Sequence, residues 1–547
     1  EKKLMKAAEL LVKSLENEGV KRIYGVPGEE NMDVLDAIHD SPIQFVLSRH
    51  EQGAAFMADI HGRLTGKAGL CMSTLGPGAT NLVTGIADAN MDHAPLVAIT
   101  GQAGLHRMHK ESHQYLDLVA LYNPVTKWNA QVKHPYSVTE IVRKAFKVAQ
   151  TEKRGACHVD IPEDVMKLNA EGAPLRVQHP IAPEPTSQQI NRAVKILNEA
   201  RFPIILSGNG TLRGQASQAL RDFARRLNIP VACTFMGKGA LPYDDIHSLM
   251  EVGLQTQDYV SCGFDRADVV ICVGYDLVEY APNQWNPHQD KKIIHIDMSP
   301  AEVDAYYVIE VGVIGDISSS LSALMSKVTP RDSEIYQELH RAIINQVDEF
   351  SEDKSFPLKP EKILYDLRQA MAPEDILISD VGAHKLWVAR MFPCIEPNTC
   401  LISNGFASMG IALPGGIAAK LARPDLHIVT VSGDGGFLMN VQELETACRL
   451  GTPTVNLVFN DRAYGLIAWK QQLQFGRTSY TEFTNPDLMA LAHAFGARGY
   501  KVNEAGELAA ILKEALTLKV PSVIDCPVDF EENLRLTEKL GQIVCPL

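Results

Sequence analysis

The segment Gly433-Asp-Gly-Gly436 directly follows the apolar, β-branched run 428–431, a pattern that predicts a strand ending in a turn and then a helix. A second strand-like run, 455–459, leads into Asn460-Asp461, so that 461 − 434 = 27 residues separate Asp434 from Asp461. Parallel strands end at the same edge of a sheet, where open α/β sheets bind their ligands. The spacing therefore predicts that the two aspartates share one crevice.

This crevice has the residue types that a metal and a phosphate group require. Glycines let backbone N–H groups approach a phosphate closely, and the start of a helix adds a favourable dipole. Two carboxylates beside a phosphate suit Mg²⁺, which takes one or two carboxylates together with phosphate oxygens and water. The pattern predicts a metal–diphosphate anchor. An ordinary strand-to-helix turn is the alternative, because short glycine motifs also occur without a ligand.

The composition limits the partners of the chain. A length of 547 residues exceeds a single core and predicts three or four domains. A net charge of −14 argues against nucleic-acid and anionic-membrane partners, which need a basic surface. No apolar run reaches the roughly 18 residues of a membrane span, and the start predicts an amphipathic helix, Leu4 to Glu18, rather than a signal peptide. The ten cysteines form no C-x-x-C pair, which indicates reduced thiols and a cytoplasmic location.

Helix and strand patterns alternate along most of the chain, which predicts doubly wound parallel sheets. The strand-like runs before the Gly433 segment are 22–24, 44–47, 69–73, 96–100, 203–206, 269–273 and 293–296. The proline-rich segment Pro180 to Pro185 and a polar connector ending near Pro360 separate the units. We therefore predict an α/β chain of three doubly wound parallel-sheet domains, at residues 1–170, 185–330 and 355–547.

The middle unit contains an imperfect dinucleotide-binding motif, Gly208-Asn-Gly210 followed by Gly214. The third glycine comes one residue late, and no acidic residue stands out where a ribose would be held. We therefore interpret this segment as a tight strand-to-helix turn.

Motifs along the whole chain are similar to those of thiamine-diphosphate-dependent enzymes. Besides the segments at Gly433 and Asp461, they are Gly25-Val-Pro-Gly28, Arg49-His-Glu51, Thr74-Leu-Gly-Pro-Gly78 with Asn81, Gly382-Ala-His384 and Ser403-Asn-Gly-Phe-Ala-Ser-Met-Gly410. Within that family the chain most resembles the acetolactate synthases, especially their catabolic, flavin-independent branch. The finer likeness rests on Val125-Thr-Lys-Trp128, Val273-Gly-Tyr-Asp-Leu-Val-Glu-Tyr280 and His295-Ile-Asp297.

The resemblance implies a pyrimidine-binding first domain, a central domain and a diphosphate-binding third domain. It also implies that Glu51 hydrogen-bonds the pyrimidine ring nitrogen and so favours the imino tautomer that activates the cofactor. Gly53 and the two alanines after it predict an apolar setting for this carboxylate. A solvated glutamate at a helix start is the alternative. Met409, 434 − 409 = 25 residues before Asp434, is implied as the apolar wedge beneath the bent cofactor, with a core methionine as the alternative.

The implied thiamine diphosphate site also holds Mg²⁺. Its metal ligands are the side chains of Asp434 and Asp461 and the carbonyl oxygen of Ala463. Most of the family has asparagine where Asp461 stands, and a carboxylate remains a hard oxygen ligand. His384 is expected to donate to a phosphate oxygen. The cofactor-binding residues are Glu51, Thr74, Asn81, Gly382, Ala383, His384, Ser408, Met409, Gly433, Asp434, Gly435, Gly436, Asp461, Ala463, Tyr464, Gly465 and Leu466.

The pair His113-Gln114 is expected to decide the course of the reaction. Simple 2-oxo-acid decarboxylases have two adjacent histidines here that protonate the carbanion, whereas a neutral amide is a poor proton donor. The resemblance therefore implies that the protein decarboxylates pyruvate and condenses the bound hydroxyethyl carbanion with a second pyruvate, giving 2-acetolactate and CO₂. Since His113 can still supply a proton, a non-condensing 2-oxo-acid decarboxylase is the alternative. A solvated loop is a further interpretation of the pair.

The resemblance implies active sites at a subunit interface, and therefore a homodimer or a homotetramer. Bound FAD is not expected; a flavin oxidase and a relative without catalysis are the remaining alternatives. The preferred acceptor stays open at Lys470, near which biosynthetic relatives place a tryptophan and catabolic relatives a glutamine. This lysine either faces solvent or attracts the carboxylate of the acceptor.

Overall fold

Three six-stranded sheets organise the protein, and neighbouring strands within each of them run parallel. The computed structural model describes residues 5–178, 181–253, 259–332 and 336–534. A strand covered on both faces needs apolar side chains at nearly every position, as Ile204, Ile205 and Leu206 illustrate with 0% exposure each. The predicted α/β class with three doubly wound sheets is confirmed.

The first sheet has the strand order β3-β2-β4-β5-β7-β6, and a separate antiparallel pair joins β1 to β8. The strands of this domain, including that pair, are β1 (Met5–Lys6), β2 (Arg22–Gly25), β3 (Gln44–Leu47), β4 (Gly69–Ser73), β5 (Leu96–Gln102), β6 (Trp128–Gln131), β7 (Ala156–Pro162) and β8 (Asn169–Ala170). Its helices are α1 (Ala7–Asn17), α2 (Met32–His39), α3 (Glu51–Thr65), α4 (Pro77–Met91), α5 (Leu118–Tyr122), α6 (Val138–Gln150) and α7 (Glu163–Lys167). Leu70 and Met72 pack with α1 and α6, whereas Cys71 between them packs with α3 and α4.

The first helix begins later than the sequence pattern predicted. Met5 and Lys6 form a short strand against Ala170 and Asn169, and Lys6 caps helix α1. Leu4, the predicted start, lies outside the described residues. Because the partner strand lies far along the chain, helical periodicity did not reveal it.

The middle sheet has the order β11-β10-β9-β12-β13-β14, which is typical of dinucleotide-binding folds. Its strands are β9 (Pro203–Ser207), β10 (Val231–Cys233), β11 (Ser248–Glu251), β12 (Val269–Val273), β13 (Lys292–Asp297) and β14 (Val311–Ile314). Its helices are α8 (Ser187–Glu199), α9 (Asn209–Arg213), α10 (Ser217–Leu227), α11 (Tyr259–Arg266) and α12 (Ile317–Met325).

The two connectors are more structured than the sequence suggested. In the first, Asp316 N–H donates to Pro183 O at 2.7 Å, while Pro180 lies outside the described residues. The second contains an additional helix, α13 (Gln337–Asp348), whose Leu339 and Ile343 are buried against the middle domain. This amphipathic helix went unrecognised because charged residues surround it.

The third sheet has the strand order β16-β15-β17-β18-β20-β19. This is the order of the first sheet with every strand number raised by thirteen. Its strands are β15 (Ile376–Ser379), β16 (Cys400–Ile402), β17 (Ile428–Gly433), β18 (Val455–Asn460), β19 (Arg498–Lys501) and β20 (Ser522–Pro527). Its helices are α14 (Pro360–Ala370), α15 (Ala383–Met391), α16 (Ala412–Ala422), α17 (Asp434–Met439), α18 (Glu443–Leu450), α19 (Gly465–Phe475), α20 (Leu488–Ala494) and α21 (Glu507–Thr517). The Asp434 segment after β17 thus corresponds to the Thr74 segment after β4.

Helix α3 joins the first domain to the third. Its residues Phe56 and Ile60 pack with Ile376 and Ile378 of β15, and its Ala54 packs within the first domain. Both domains therefore pack against this helix, whose first residue is Glu51.

The three sheets span residues 22–162, 203–314 and 376–527; the proposed domain boundaries around them remain predictions. Short 3₁₀ turns lie at Glu29–Asn31, Leu105–Arg107, Asn123–Val125, Pro135–Ser137, Phe235–Gly237 and Pro282–Gln284. None of the helices in the described ranges combines the length and apolarity of a membrane span. The nine cysteines in these ranges are free thiols, and the tenth, Cys545, lies outside them.

Candidate active site

The crevice predicted from the two aspartates forms at the carboxyl edge of the third sheet. Strands β17 and β18 are parallel neighbours, and Gly433 pairs with Phe459. Asp434 begins α17 directly after β17, while Asp461 follows the last residue of β18. The two side chains, distant in sequence, therefore lie side by side.

Backbone and amide donors hold these carboxylates. Asp434 is 1% exposed and accepts hydrogen bonds from the N–H groups of Gly435 at 2.8 Å and Arg462 at 2.7 Å, and from Asn485 Nδ2 at 2.7 Å. Burial raises the pKa of Asp434, and burial together with the charge of Asp434 raises the pKa of Asp461 to about 7. A divalent cation between the carboxylates would offset their repulsion, so the pair fits Mg²⁺.

Any further metal ligands would be oxygens of another kind. The described residues contain no group of three or more His, Cys, Asp and Glu side chains arranged around a metal. Backbone carbonyl, phosphate and water oxygens are the ligands that Mg²⁺ accepts beside one or two carboxylates. The donor set therefore suits a metal that is shared with a phosphate-bearing ligand.

A segment that the sequence did not identify braces the turn after Asp461. Tyr464 N–H donates to Thr481 O at 2.9 Å, and Phe483 N–H donates to Arg462 O at 3.0 Å. Arg462 has a left-handed backbone with φ 57°, a conformation that is costly for a residue with a side chain. Ala463, the expected third metal ligand, lies inside this braced turn, and helix α19 follows with Gly465 and Leu466.

Close packing gives the glycines of the crevice a second role beside phosphate approach. A Cβ atom on Gly436 would lie 2.8 Å from Asp380 Oδ1, and one on Gly465 would lie 2.6 Å from Asp461 Oδ2. A Cβ on Gly435 would lie 2.8 Å from a neighbouring tyrosine ring. Larger residues would displace the side chains that form the crevice.

The Gly382-Ala-His384 segment lies in the same crevice. Gly382 has φ 157° and precedes α15, whose first residues are Ala383 and His384. The His384 ring lies against Gly433, where an added Cβ would be 3.3 Å from Nδ1. Burial lowers the pKa of His384 to about 4, and its Nε2 is buried without a hydrogen-bond partner. A buried ring nitrogen without a partner fits a ligand that supplies one.

Met409 stands in a turn that is anchored on both sides. Asp380, which is 1% exposed, accepts hydrogen bonds from Gly410 N–H at 2.9 Å and Ala412 N–H at 3.2 Å. On the other side, Ser408 N–H donates to Asp88 Oδ1 of the first domain at 3.2 Å. Met409 itself is partly exposed, unlike a core methionine. Its neighbours, rather than its own packing, hold it in place.

Glu51 lies at the corresponding edge of the first sheet. It is partly buried, and Asn81 Nδ2 donates to its Oε2 at 3.0 Å. Gly78 leaves room for the other oxygen, since an added Cβ would be 3.2 Å from Oε1. The Thr74 hydroxyl instead donates to Glu30 Oε2 at 2.9 Å. Asn81 therefore contacts Glu51 directly, whereas Thr74 stabilises the adjoining turn.

His113 and Gln114 lie in an exposed loop that contacts the turn before α4. Gly76 in this turn has φ 54°, and a Cβ added to it would be 2.8 Å from Gln114 O. Gln114 also has a left-handed backbone, with φ 57°. The loop thus brings Gln114, by a strained conformation, to the turn that precedes α4 and its second residue, Gly78.

Comparisons with known proteins agree with this arrangement. Residues 5–121, 190–324 and 380–526 match the N-terminal TPP binding domain, the central domain and the C-terminal TPP binding domain of thiamine pyrophosphate enzymes. The chain is 36% identical over 538 residues to the acetolactate synthase of Bacillus subtilis (strain 168), covering 97% of this chain and 94% of the relative. It is 34% identical over 547 residues to the catabolic acetolactate synthase of Raoultella terrigena, covering 98% and 97%. The chain belongs to the thiamine-diphosphate-dependent acetolactate synthase family.

A buried lysine near the site of this acetolactate synthase family member escaped the sequence analysis. Lys385 is 7% exposed, and its Nζ donates to Ser403 O at 3.3 Å and to Asn404 Oδ1 at 3.1 Å. Burial lowers its pKa to about 8, and the charge of Lys470 contributes in the same direction. Lys470 is exposed on α19. The only sequence signal for Lys385 was its position next to His384.

The glycine turn after β9 is filled by an internal carboxylate. Glu279 is 7% exposed and accepts hydrogen bonds from Asn209 N–H at 3.1 and 3.0 Å and from the Thr234 hydroxyl. A Cβ on Gly208 would lie 2.5 Å from Gly274 O, so close packing requires this glycine. The interpretation of the segment as a tight strand-to-helix turn is confirmed by the short helix that begins at Asn209.

Proposed function

We propose that this protein is an acetolactate synthase, which converts two pyruvate anions and one proton into one 2-acetolactate anion and one CO₂. One observation carries the proposal. In a chain that aligns over 97% of its length with an acetolactate synthase, the edges of the outer sheets hold Glu51 on one side and the Asp434–Asp461 pair on the other. The first is suited to activating a cofactor, the second to anchoring it.

The metal at the third sheet is proposed to be Mg²⁺, held by Asp434, Asp461 and the carbonyl oxygen of Ala463. The raised pKa of Asp461 supports a bound cation, because two buried carboxylates repel each other without one. The diphosphate would lie against Gly382, Gly433 and the free Nε2 of His384. Each of these positions offers either a hydrogen-bond donor or open space, and a bound diphosphate needs both.

Thiamine diphosphate, when bound, would supply the thiazolium carbon that attacks the 2-oxo group and stabilises the negative charge left by CO₂ loss. Glu51 is proposed to hold a proton at the pyrimidine ring nitrogen, with Asn81 keeping its carboxylate oriented through the bond to Oε2. Met409, on its anchored turn, is proposed to give the cofactor an apolar contact when it is bound. These side chains position and protonate the cofactor.

Gln114 is proposed to favour condensation over simple decarboxylation. A carboxamide does not donate a proton readily, so it would orient the acceptor carbonyl and leave the reacting carbon unprotonated. Its contact with Gly76 supports this role, because the same turn leads to Gly78 beside Glu51. His113 lies exposed beside it, with its carbonyl accepting from Arg107 Nη1 at 3.1 Å.

The protein is proposed to work without a flavin. In dinucleotide-binding folds, the backbone N–H groups after the first strand hold the pyrophosphate. Here the Asn209 N–H after β9 is already bonded to Glu279. A pyrophosphate at this turn would find this donor already occupied, so purified protein is expected to be colourless.

A homodimer is proposed as the smallest active unit, and a pair of dimers as the tetramer. Within the described ranges of one chain, the carboxylate of Glu51 accepts a hydrogen bond from Asn81 and from no group of residues 355–534. Large apolar side chains on the third domain are exposed: Phe406 (43%), Ile467 (50%) and Phe475 (64%). A second chain covering them would bring its own Glu51 towards this metal edge. The cytoplasmic location expected from the sequence stays a prediction.

The activity is tested by incubating the purified protein with pyruvate, thiamine diphosphate and Mg²⁺ and assaying acetolactate. Formation should require all three components. Acetolactate that forms equally well after removal of bound cofactor and metal would contradict the proposal, as would its absence from complete mixtures.

A further inference from the structure

Glu443, the first residue of α18 in the third domain, binds the segment that precedes Glu51 in the first domain. Its Oε1 accepts hydrogen bonds from His50 N–H at 3.0 Å and Arg49 N–H at 3.1 Å, and its Oε2 accepts from Arg49 N–H at 3.2 Å. These contacts bridge 443 − 49 = 394 residues of sequence. They link α18 directly to the turn at the start of α3.

This carboxylate is buried at a cost. Glu443 is 0% exposed, and burial raises its pKa. Its hydrogen bonds come from two backbone N–H groups and the Thr446 hydroxyl at 2.7 Å, and no cation pairs with it among the described side chains. Burying an unpaired carboxylate is unfavourable unless its hydrogen bonds compensate. An apolar residue would fill the same space without this desolvation penalty. The hydrogen bonds are therefore the reason for a carboxylate at this position.

The two N–H groups belong to a turn whose other side is also fixed. His50 caps α3, with its Nδ1 accepting from Gln52 N–H at 3.0 Å, and Ser48 Oγ donates to His50 O at 3.1 Å. Glu443 supplies the remaining acceptors. The backbone of Glu51 is therefore held from both sides.

Gly53 provides the space for this contact. A Cβ atom added to it would lie 2.6 Å from Glu443 Oε1 and 2.8 Å from its carboxyl carbon. Two neighbouring bonds run between the same segments, from Asn440 Nδ2 to Gln52 Oε1 at 3.1 Å and from Arg449 Nη2 to Leu47 O at 2.6 Å. Glu443 lies between these two bonds along the chain.

We propose that Glu443 is a positioning residue for Glu51: its carboxylate fixes the 49–50 backbone and thereby the direction in which the Glu51 carboxylate leaves the start of α3. This inference rests on the proposed function of Glu51 as cofactor activator. It gives the diphosphate-binding domain a second task, because a helix that follows the metal-site aspartate also orients the activating acid of its own chain.

The contact itself is tested without any cofactor by amide hydrogen exchange of the peptide containing residues 49–51. Glu443→Ala should raise the exchange rate of these amides by about tenfold or more, because their acceptor is lost. Glu443→Gln keeps one acceptor oxygen and should restore most of the protection. Glu445→Ala, which removes an acid from the same helical turn, is the control. Unchanged exchange in Glu443→Ala would overturn the inference.

The consequence for Glu51 is tested in the protein loaded with thiamine diphosphate and Mg²⁺, by following deuterium exchange at the reactive thiazolium carbon. Glu443→Ala should slow this exchange by roughly 100-fold, the cost of a displacement of about 1 Å at a catalytic group. In a Glu51→Gln background it should change the rate by less than roughly twofold, because a residue acting through Glu51 adds nothing once Glu51 is gone. Equal effects in both backgrounds would contradict positioning.

Two further variants separate the outcomes. Gly53→Ala retains Glu443 but pushes it from the turn, and should slow the thiazolium exchange in the same way if Glu443→Ala fails to fold. Glu443→Gln should recover most of the rate; a Gln variant as slow as the Ala variant would assign the role to charge and overturn positioning. If Glu51→Gln itself leaves the exchange unchanged, the proposed function fails. If only the Glu443 variants do so, the positioning role alone fails.

Discussion

At the scale of single residues, the candidate acids differ in how much of their hydrogen-bonding capacity the protein uses. Asp434 is buried and accepts three hydrogen bonds, whereas Glu51 is partly buried and accepts one. A carboxylate that several donors orient is suited to holding a metal in a fixed place. A carboxylate with free capacity is suited to exchanging a proton with a ligand.

Glu51→Gln should reduce turnover of pyruvate by about 10²- to 10⁴-fold, the usual contribution of a proton-transferring group. The amide fits the same space, so cofactor retention after gel filtration should stay close to that of the wild type. Glu29→Gln, at an exposed acid of the same domain, is the matched control and should keep full activity. Near-normal turnover of Glu51→Gln would refute its role as activator.

Asp434→Ala should abolish retention of thiamine diphosphate in the presence of Mg²⁺, because it removes a buried ligand that also anchors Arg462 N–H and Asn485. Asp425→Ala, at an exposed aspartate near the other end of β17, should retain the cofactor normally. Measurement of bound cofactor and of magnesium after gel filtration decides between them. Normal loading of Asp434→Ala would mean that the metal lies elsewhere.

At the scale of elements, the sequence predicted the strands more accurately than the contacts between segments that lie far apart in the chain. The predicted run 69–73 has the same bounds as β4, because a strand that is buried on both faces forms a nearly continuous apolar run in the sequence. Asp380, Asn485 and Glu443 went unnoticed because each acts on a segment far away in the chain, which no local pattern encodes. Helix α1 was extended too far for the same reason, as β1 pairs with β8.

In the candidate site, too, the sequence predicted local features but not the contacts between distant segments. The sequence identified Asp434 and Asp461 by the strands that precede them, and the pairing of β17 with β18 brings them together. Thr74 stays a predicted cofactor contact, and the bond from its hydroxyl to Glu30 was not visible in the sequence. The repeated strand order of the outer sheets likewise appears only in three dimensions, because equal topology does not require equal residues.

Glu279, at the turn after β9, makes the stability of the protein depend on pH. Burial, followed by the charge of Asp276, raises the pKa of Glu279 to about 8. The folded state therefore binds a proton that the unfolded chain releases above about pH 4.5, so this group lowers stability as pH rises from about 4.5 to 8. The melting temperature of Glu279→Gln should rise relative to the wild type across this interval and level off above it. Glu302→Gln, at an exposed acid of the middle domain, should show no such trend.

A constant difference between Glu279→Gln and the wild type from pH 5 to 8 would contradict this prediction. It would mean that Glu279 is already ionised throughout the interval. Melting curves recorded with one ionic strength at each pH provide the comparison.

At the scale of the whole molecule, helix α3 packs against both outer domains of one chain, yet among the residues that the structure describes the Glu51 carboxylate makes no hydrogen bond to the third domain. The proposed active unit resolves this by pairing the pyrimidine side of one chain with the diphosphate side of another. A two-fold dimer then contains two such sites.

A mixture of Glu51→Gln and Asp434→Ala chains, each inactive alone, should regain activity after dissociation and reassembly. Random pairing puts about half of the chains into mixed dimers, each with one intact site, so the mixture should reach roughly a quarter of wild-type activity per chain. Mixed dimers isolated through two different affinity tags provide the check. Such dimers without any activity would show that each site is built within one chain.

The central claim is that the protein joins two pyruvate molecules, and the ratio of products to CO₂ tests it most directly. With pyruvate, thiamine diphosphate and Mg²⁺, we expect one 2-acetolactate for each CO₂ released and two pyruvate consumed, with little acetaldehyde. One acetaldehyde for each CO₂, without acetolactate, would contradict the account and identify a simple 2-oxo-acid decarboxylase.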